Sequence, residues 1–337
     1  MIGTRNNMVI FVFGGLGFIG SNFLNKFNLK DGNTYYCFDI LNASGELDNI
    51  NSKINFIECN ILDLFKLDEV FNKYHPDLVI NFAAESSVDY SFINPNIFDD
   101  VNYRGVINLF NMCKKYKIKR FHQCSTDEVY GSYENKEDLK TLQGLPKINP
   151  SNPYATSKAK ADKFLLENKD SLNITISRSN NVFGLNQGTD KLIPNAIYNL
   201  IKDSPIKIYG DGKNTRNWID IDIVISFLHE LLLDLNPKKV IFHLASSLEL
   251  SNIDIAHLIL KTLELKSDRI SFVLDRKIND LRYHLQMDDL DLEILNSYNK
   301  DNLIALKIVI KKMYEEKKEY LIKNYNRLLS LKRIRCL

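Results

Sequence analysis

Short apolar runs alternate with longer segments of helical spacing through the first half of this 337-residue chain. The runs of strand length are Met8–Phe13, Thr34–Phe38, Ile54–Ile57, Leu78–Phe82, Phe121–Cys124 and Ile174–Ser177. The segments with helical spacing are Phe18–Phe27, Leu67–Tyr74, Asn96–Tyr116 and Ala155–Glu167. This alternation predicts an α/β fold in which helices cover both faces of a doubly wound parallel sheet.

The pattern changes beyond Asn180. Shorter elements follow, separated by the loops Gly184–Asp190 and Gly210–Asn217, which are rich in Gly, Asn and Asp. We therefore expect residues 1–180 to form the main domain and residues 181–337 a smaller, substrate-binding part. The apolar run Val240–Ala245 has the length of a strand and could rejoin the main sheet.

Composition argues against several classes of protein. A net charge of +2 and a pI near 8.1 give no reason to expect a nucleic-acid partner. Five cysteines without a CxxC pair predict reduced, mostly buried thiols in a cytoplasmic protein, with neither disulfides nor a metal site. No long apolar run follows a basic N-terminal region, so we expect no signal peptide, no membrane span and no membrane partner.

A glycine-rich turn, Gly14–Gly20, directly follows the first apolar run. Glycines there allow a tight bend and a close approach of the backbone to a pyrophosphate, which the N-terminus of the next helix attracts. The second run is followed by Asp39, a carboxylate that can accept hydrogen bonds from ribose hydroxyls and would repel a 2′-phosphate, which favours NAD over NADP. Alternatively, Asp39 caps a helix or turn. The residues predicted to bind NAD are Gly14, Gly17, Phe18, Ile19, Gly20, Asp39, Asn60 and Ile61.

A tyrosine and a lysine stand one helical turn apart, at Tyr154 and Lys158. Residues at i and i+4 share one helix face, and Pro153 is typical of a helix start, which places Tyr154 in the first turn. The positive charges of Lys158 and of an oxidised nicotinamide ring both favour the phenolate, so we expect them to lower the pKa of Tyr154. Tyr154 could then take a proton from a substrate hydroxyl while the adjoining carbon loses a hydride.

The segment Ser125–Gly131 places a hydroxyl and two carboxylates after the fifth apolar run. Thr126 falls at the carboxyl edge of the predicted sheet, where such sheets bind ligands, and can donate to the oxygen being oxidised. Simple alcohol oxidation needs neither Asp127 nor Glu128. Such a pair suits an elimination, in which one carboxylate removes a proton from carbon and the other protonates a leaving hydroxyl. The alternative is a helix N-cap and a solvated acid.

Over residues 8–290 the chain resembles the extended short-chain dehydrogenase/reductases and, within them, the nucleotide-sugar 4,6-dehydratases. The set Thr126, Asp127 and Glu128 is the specific part, since related epimerases and decarboxylases carry other residues at the position of Asp127. The other positions that carry the resemblance are Gly14–Gly20, Ala83–Ser86, Tyr154, Lys158, Ser179–Asn181, Lys191–Pro194, Tyr209–Gly212, Arg216, Trp218, Asp275, Arg276, Asp280, Arg282 and Tyr283.

The resemblance implies a Rossmann fold, NAD as the cofactor, and a homodimer formed through the helices predicted at Asn96–Tyr116 and Ala155–Glu167. It also implies roles: Tyr154, helped by Thr126 and Lys158, oxidises the sugar at C4, Glu128 removes the C5 proton, and Asp127 protonates the leaving C6 hydroxyl. Return of the hydride to C6 leaves a 4-keto-6-deoxy sugar. The residues implied to contact NAD also include Ala83, Ala84, Tyr154 and Lys158. Those implied to bind the nucleotide sugar are Glu85, Ser86, Ser87, Asn181, Lys191, Arg216, Asn252 and Arg282.

Several positions depart from the glucose-specific members of that family. Ser87 and Tyr90 stand where those enzymes usually have His and Arg, Asp190 replaces Glu, Asn279 replaces His, and the loop Leu185–Thr189 lacks the usual prolines and aromatic residues. Serine in place of histidine opens volume. We therefore hypothesise a hexose with a bulkier 2-substituent, such as N-acetylglucosamine, with or without inversion at C5. Glucose stays an alternative, with either UDP or dTDP as carrier, as do a 4-epimerase, a decarboxylase and a non-catalytic NAD-binding protein.

Overall fold

The computed structural model describes residues 7–28, 30–41, 45–133, 147–234, 236–275, 280–283, 285, 287–298, 300–315 and 318. Arg276, Asn279 and Cys336 lie outside these ranges. The strands of the described residues are β1 (Val9–Phe13), β2 (Thr34–Asp39), β3 (Asn55–Glu58), β4 (Leu78–Asn81), β5 (Arg120–Thr126), β6 (Asn173–Ser179), β7 (Asn181–Phe183), β8 (Ile206–Tyr209), β9 (Thr215–Asp220), β10 (Ile241–Leu244), β11 (Glu249–Ser251) and β12 (Ile270–Val273).

The α-helices of the same ranges are α1 (Phe18–Phe27), α2 (Leu64–Tyr74), α3 (Val88–Ile93), α4 (Pro95–Asp99), α5 (Gly105–Lys115), α6 (Pro153–Glu167), α7 (Leu192–Ile201), α8 (Ile221–Leu233), α9 (Asn252–Thr262), α10 (Asp289–Asn296) and α11 (Asn302–Glu315). Short 3₁₀ turns occur at Leu47–Asn49, Asp127–Tyr130 and Lys169–Ser171. None of the helices that the structure describes is long and apolar enough to cross a membrane.

A seven-stranded sheet in the order β10-β6-β5-β4-β1-β2-β3 forms the centre of the fold. Each neighbouring pair is parallel. Along β1 the side chains alternate between two apolar clusters, with Ile10 and Val12 in one and Phe11 and Phe13 in the other. A strand buried on both faces reads as a continuous apolar run, which is why the sequence pattern could identify it. The predicted doubly wound α/β fold is confirmed.

The prediction of one continuous helix from Asn96 to Tyr116 was wrong. A π-helical turn, Asp100–Arg104, separates α4 from α5. Within this turn the amide of Asn102 donates to the carbonyl oxygen of Glu85 at 2.9 Å and to the hydroxyl of Ser157 at 2.9 Å. The extra residue per turn places Asn102 where it joins a loop and a helix that lie far apart in the sequence.

The chain beyond residue 180 forms a second group of elements. Two small sheets, β11-β9-β7 and β12-β8, surround an apolar cluster with α7, α9 and α11. Strand β10 leaves this group and pairs in parallel with β6 at the edge of the main sheet. The division of the chain at residue 180 stays a prediction.

Parallel strands place the ends of consecutive strands along one edge of the main sheet. The glycine turn follows β1 there, Asp39 ends β2, and Thr126 ends β5. The cysteines within the described ranges are free thiols, with Cys37, Cys59 and Cys113 buried.

Candidate active site

Backbone contacts shape the glycine turn after β1. Gly14 has a φ of +75°, and a Cβ atom on it would lie 2.3 Å from the backbone nitrogen of Ala83. A Cβ on Gly20 would lie 2.3 Å from the carbonyl oxygen of Gly14, so glycine is what allows α1 to pack this closely. Gly17 is the N-cap of α1 and has no side chain to occupy the first amides of the helix. These amides can bind a pyrophosphate, so the turn fits NAD.

Asp39 lies beside this turn. Its Oδ2 accepts a 2.8 Å hydrogen bond from the backbone of Leu16, and its Oδ1 accepts one of 2.8 Å from the backbone of Ile40. Burial raises the pKa of the Asp39 carboxyl to about 6, while these amides oppose the rise. The group is therefore mostly ionised at neutral pH. It stabilises the turn, where the backbone of Gly17 is a third donor, and a lone pair remains for a ribose hydroxyl.

Replacing Asp39 by Asn is expected to weaken NAD binding about tenfold or more, because charge-assisted hydrogen bonds to the ribose are lost. The preference for NAD over NADP should also shrink, since the negative charge that repels a 2′-phosphate is removed. Calorimetric titration of the NAD-free protein with each cofactor measures both effects. Asp48→Asn changes an exposed carboxylate on the 3₁₀ turn Leu47–Asn49 and is the matched control. Equal NAD affinities of the two variants would contradict the assignment.

Asn60 and Ile61 lie in the turn after β3. Asn60 Oδ1 accepts a 2.9 Å hydrogen bond from the backbone of Leu62, and the carbonyl oxygen of Ile61 accepts one of 3.0 Å from Asn108. A Cβ on Gly105 would lie 2.4 Å from the side chain of Ile61, so α5 packs directly against it. This turn is held against α5, at the same edge of the sheet as the glycine turn, and its contact with the adenine ring stays a prediction.

Thr126 caps the 3₁₀ turn Asp127–Tyr130. Its hydroxyl accepts a 3.3 Å hydrogen bond from the backbone of Glu128. Asp127 is only 3% exposed and Glu128 is half-buried. The alternative in which the two carboxylates are a helix cap and a solvated acid is therefore wrong: the cap is Thr126, Asp127 is buried, and Glu128 accepts a hydrogen bond from Asn152.

The two carboxylates occupy different environments. Asn180 donates to Asp127 Oδ2 at 3.0 Å, and burial, assisted by the charge of Glu128, raises the pKa of Asp127 to about 7. Burial also raises the pKa of Glu128, but the amide of Asn152, at 3.1 Å from Oε2, and the charges of Arg216 and Lys191 oppose the rise. An acid that keeps its proton near neutral pH therefore stands beside a carboxylate stabilised by cations.

Tyr154 and Lys158 lie in the first two turns of α6, as predicted. Pro153 is the first helical residue, and the side chain of Asn152 caps the helix by accepting from the backbone of Ala155 at 2.8 Å. Lys158 is 3% exposed, and its ammonium donates to the carbonyl oxygen of Cys124 at 2.7 Å. This bond ties α6 to β5.

The expected lowering of the pKa of Tyr154 does not hold for the protein by itself. Burial raises this pKa well above its usual value, and the charge of Glu128 raises it further, while the hydroxyl of Thr126 acts in the opposite direction. The sequence pattern showed Lys158 one turn away but could not show that Tyr154 is enclosed beside a carboxylate. The positive charge of an oxidised nicotinamide, when NAD is bound, would favour the phenolate.

The residues predicted to bind the nucleotide sugar fall into two groups. In the first, Lys191 reaches across to donate to the carbonyl oxygen of Ser86 at 2.7 Å, and the hydroxyl of Ser87 caps α3. Glu85 is held through its backbone by Asn102. The charge of Arg216 acts on both Asp127 and Glu128, which places its guanidinium close to the carboxylate pair.

The second group lies on or beside the small sheet β11-β9-β7, whose strand β9 also carries Arg216. Asn181 begins β7 and pairs with Trp218, while Asn252 begins α9 and its backbone donates to Asn214 at 3.0 Å. Arg282 forms an ion pair with Glu249, with 2.7 Å between Nε and Oε1. Arg282 therefore lies against an acidic partner, and its role in binding a diphosphate stays a prediction.

Comparison with known proteins agrees with this geometry. Residues 10–245 match the NAD-dependent epimerase/dehydratase family. The chain belongs to this family. A dTDP-D-glucose 4,6-dehydratase of Dictyostelium discoideum is 35% identical over 264 residues, which cover 73% of this chain and 60% of the relative. The low-salt glycan biosynthesis protein Agl12 of Haloferax volcanii is 34% identical over 82% of this chain and 89% of its own.

Among solved structures, DesIV, a dTDP-glucose 4,6-dehydratase from Streptomyces venezuelae with NAD bound, superposes with a TM-score of 0.84. It is 28% identical and covers 92% of this chain and 98% of its own. By sequence, a further relative is the dTDP-glucose 4,6-dehydratase of Actinoplanes sp., which is 31% identical over 82% of this chain and 89% of its own. Within the epimerase/dehydratase family, the chain is an NAD-dependent nucleotide-sugar 4,6-dehydratase.

Sequence reasoning missed two side chains of the dehydratase site, Asn152 and Asn180. Each donates an amide hydrogen to one of the catalytic carboxylate candidates, Asn152 to Glu128 and Asn180 to Asp127. An Asn directly before a Pro at a helix start is a recognisable N-cap, so part of the role of Asn152 could have been found. Its bond to Glu128 depends on how β5 and α6 meet, which the sequence does not show.

Proposed function

We propose that this dehydratase converts a nucleoside-diphosphate hexose into its 4-keto-6-deoxy form, with Thr126, Asp127, Glu128, Tyr154 and Lys158 as the catalytic residues. The observation that carries the proposal is the meeting of two unlike carboxylates with Tyr154 at the carboxyl end of β5. Bound NAD supplies the hydride acceptor for C4 and afterwards the hydride donor for C6.

The first stage is the oxidation at C4. Tyr154 accepts the proton of the C4 hydroxyl, and Thr126 donates a hydrogen bond to the same oxygen as the carbonyl forms. Lys158, held on the carbonyl oxygen of Cys124, adds a buried positive charge one helical turn from Tyr154. Thr126 and Lys158 are buried, and a low-dielectric surrounding strengthens their interactions with the reacting oxygen.

The second stage removes water across C5 and C6. The new 4-ketone acidifies the C5 proton, which Glu128 takes, and the resulting electron pair expels the C6 oxygen. Asp127 gives that oxygen a proton, so it leaves as water. A proton then returns to C5 when the hydride reaches C6. The pKa of about 7 at Asp127 suits a group that must hold a proton before the step and release it during the step.

We expect activity to fall as the pH rises above about 7, because Asp127 acts only in its protonated form. The amide of Asn180 favours the ionised carboxylate and so lowers the pKa of Asp127. Asn180→Ala should therefore move the alkaline limb of the kcat profile to higher pH. Steady-state rates measured across the neutral range test this. If the alkaline limb lies at the same pH in Asn180→Ala and in the unaltered protein, a group other than Asp127 controls it.

The substrate that we propose first is glucose carried by dTDP. Support comes from relatives named as dTDP-glucose 4,6-dehydratases, which match at 28–35% identity. A second candidate is N-acetylglucosamine carried by UDP, because Ser87 and Tyr90 replace a His and an Arg. The ring of Tyr90 packs 6.0 Å from that of Phe98, whose ring lies 6.4 Å from Tyr154. Phe98 therefore packs between Tyr90 and Tyr154, which supports a place for Tyr90 on the same side of the site as the sugar.

Incubation with dTDP-glucose, UDP-glucose and UDP-N-acetylglucosamine, followed by mass spectrometry and NMR of the products, tests the proposal. Loss of one water from the sugar is expected. A product of unchanged mass but altered NMR spectrum would point to an epimerase. A decarboxylase requires a hexuronic acid and would convert none of these three sugars. The NMR spectrum also gives the configuration at C5, and so decides between retention and inversion.

The family resemblance also supports a homodimer formed through α6 and the segment from α4 to α5. Light scattering coupled to size-exclusion chromatography measures the mass in solution. A mass of one chain would contradict this part of the proposal.

A further inference from the structure

One oxygen of Glu128 lies within hydrogen-bond distance of donor groups from two distant parts of the chain. Asn152, just before α6, donates to Oε2 at 3.1 Å. The hydroxyl of Tyr283, in the segment between β12 and α10, lies 3.3 Å from the same oxygen. Neither residue takes part in the reaction steps given above. Both act on Oε2, which leaves Oε1 as the oxygen that would meet the C5 proton.

Asn152 is held rigidly at its other end. Its Oδ1 caps α6 through a 2.8 Å hydrogen bond from the backbone of Ala155, and the side chain is only 4% exposed. Because one end of the amide is fixed on the helix that carries Tyr154, the other end sets the distance between that helix and Glu128. The base for C5 is thereby placed relative to the base for the C4 hydroxyl.

Tyr283 is fixed from two sides. The guanidinium of Arg216 packs 4.3 Å from the centre of its ring, and its hydroxyl also contacts the carboxylate of Asp280. Ser151 donates to that same carboxylate at 2.5 Å. The phenol has one hydrogen for two acceptors, so it can donate to Glu128 only when it is turned away from Asp280.

We propose that Asn152 and Tyr283 are positioning residues for the C5 base: they hold Glu128 by Oε2 so that Oε1 faces the sugar. This inference rests on the proposed function and adds to it the residues that orient the base. It implies that elimination at C5 and C6, but not oxidation at C4, depends on this pair of side chains.

The variants Asn152→Ser and Tyr283→Phe separate positioning from structure. Serine is a good N-cap, so Asn152→Ser keeps an acceptor for α6 while it removes the amide donor. Phenylalanine keeps the ring beneath Arg216 and removes only the hydroxyl. We expect C4 oxidation to stay within about twofold of the unaltered protein and elimination to slow about tenfold or more in Asn152→Ser, since hydrogen bonds to charged groups are strong. Reduced nicotinamide should then accumulate during a single turnover, visible by its absorbance.

A shift of the acidic limb in the pH profile of kcat is a second measurable effect. The groups facing Glu128 are Asp127, Tyr154, Lys191, Arg216, Asp280 and Tyr283. Loss of the Asn152 amide leaves the two cations in place but removes a donor that favours the carboxylate, so this limb should move to higher pH in Asn152→Ser. A purely structural defect would lower the rate without moving the limb.

Asn168→Ser is the matched control, because Asn168 stands at the opposite end of α6 and donates to Phe164 at 2.8 Å. It should change neither the rates nor the limb. Equal rates of elimination in Asn152→Ser, Tyr283→Phe and the unaltered protein would overturn the inference, as would an equal loss of C4 oxidation. If the unaltered protein forms no 4-keto-6-deoxy product from any of the three sugars, the proposed function itself fails.

Discussion

Replacing Glu128 by Gln is expected to stop the reaction after C4 is oxidised. Glutamine keeps the size of the side chain but cannot accept the C5 proton, so elimination should slow by about 10²–10⁴, the usual contribution of a general base. Because Tyr154, Thr126 and Lys158 are unchanged, the first hydride transfer should persist. Single-turnover absorbance of reduced nicotinamide, together with mass spectrometry of the product, measures the two stages separately.

Isotope exchange makes this result specific to C5. The unaltered protein should introduce solvent deuterium at C5 of the product, because a proton is removed there and later replaced. Glu128→Gln should show little exchange into sugar recovered from the reaction. Glu167→Gln, an exposed carboxylate at the end of α6, is the control and should behave like the unaltered protein. A rate of elimination that is unchanged in Glu128→Gln would exclude Glu128 as the base.

The second large effect is on stability. Arg178 and Asp162 form an ion pair of 2.9 Å in which both side chains are only 2% exposed. Ser125 donates to the same oxygen of Asp162 at 2.9 Å. Arg178→Met leaves the Asp162 charge buried without its cation, and the free energy of unfolding should fall by about 3–5 kcal/mol. Urea denaturation followed by fluorescence and circular dichroism measures this fall.

A double replacement tests the cause. Arg178→Met combined with Asp162→Leu removes both charges and should restore much of the lost stability, since apolar pairs of similar volume often substitute for buried ion pairs. The exposed pair of Lys160 and Asp99, with about half of each side chain accessible, is the control. Lys160→Met should change the free energy of unfolding only slightly. A small effect of Arg178→Met would mean that water reaches Asp162.

Much of the main sheet could be predicted because its strands are buried on both faces. Continuous apolar runs such as Leu78–Asn81 have few other interpretations when helical segments separate them. The helix from Asn96 to Tyr116 could not be predicted as two pieces with a π-helical turn between them. That turn depends on Asn102 meeting Glu85 and Ser157, and on α5 packing against Ile61, contacts that join distant parts of the chain.

The candidate site divides in the same way. Tyr154 and Lys158 could be paired from spacing alone, because four residues make about one turn of a helix. The raised pKa of Tyr154 could not be foreseen, since it comes from enclosure and from the nearby charge of Glu128. The ion pair of Arg282 with Glu249 could not be foreseen either, and the role of Arg282 in binding the diphosphate stays a prediction.

The amino-acid sequence was enough to predict the parallel α/β fold, the NAD-binding turn, and a hydroxyl, two carboxylates, a tyrosine and a lysine suited to an oxidation and an elimination; the 4,6-dehydratase itself came from the family resemblance. Those features are local: periodicity, glycines at a turn and spacing along one helix. The tertiary structure alone decided how the two carboxylates differ and which side chains hold them. Burial and hydrogen bonds set a pKa. The partners of Asp127 and Glu128 are Asn180 after β6, Asn152 before α6, and Tyr283 in the segment between β12 and α10, which only the folded chain brings together.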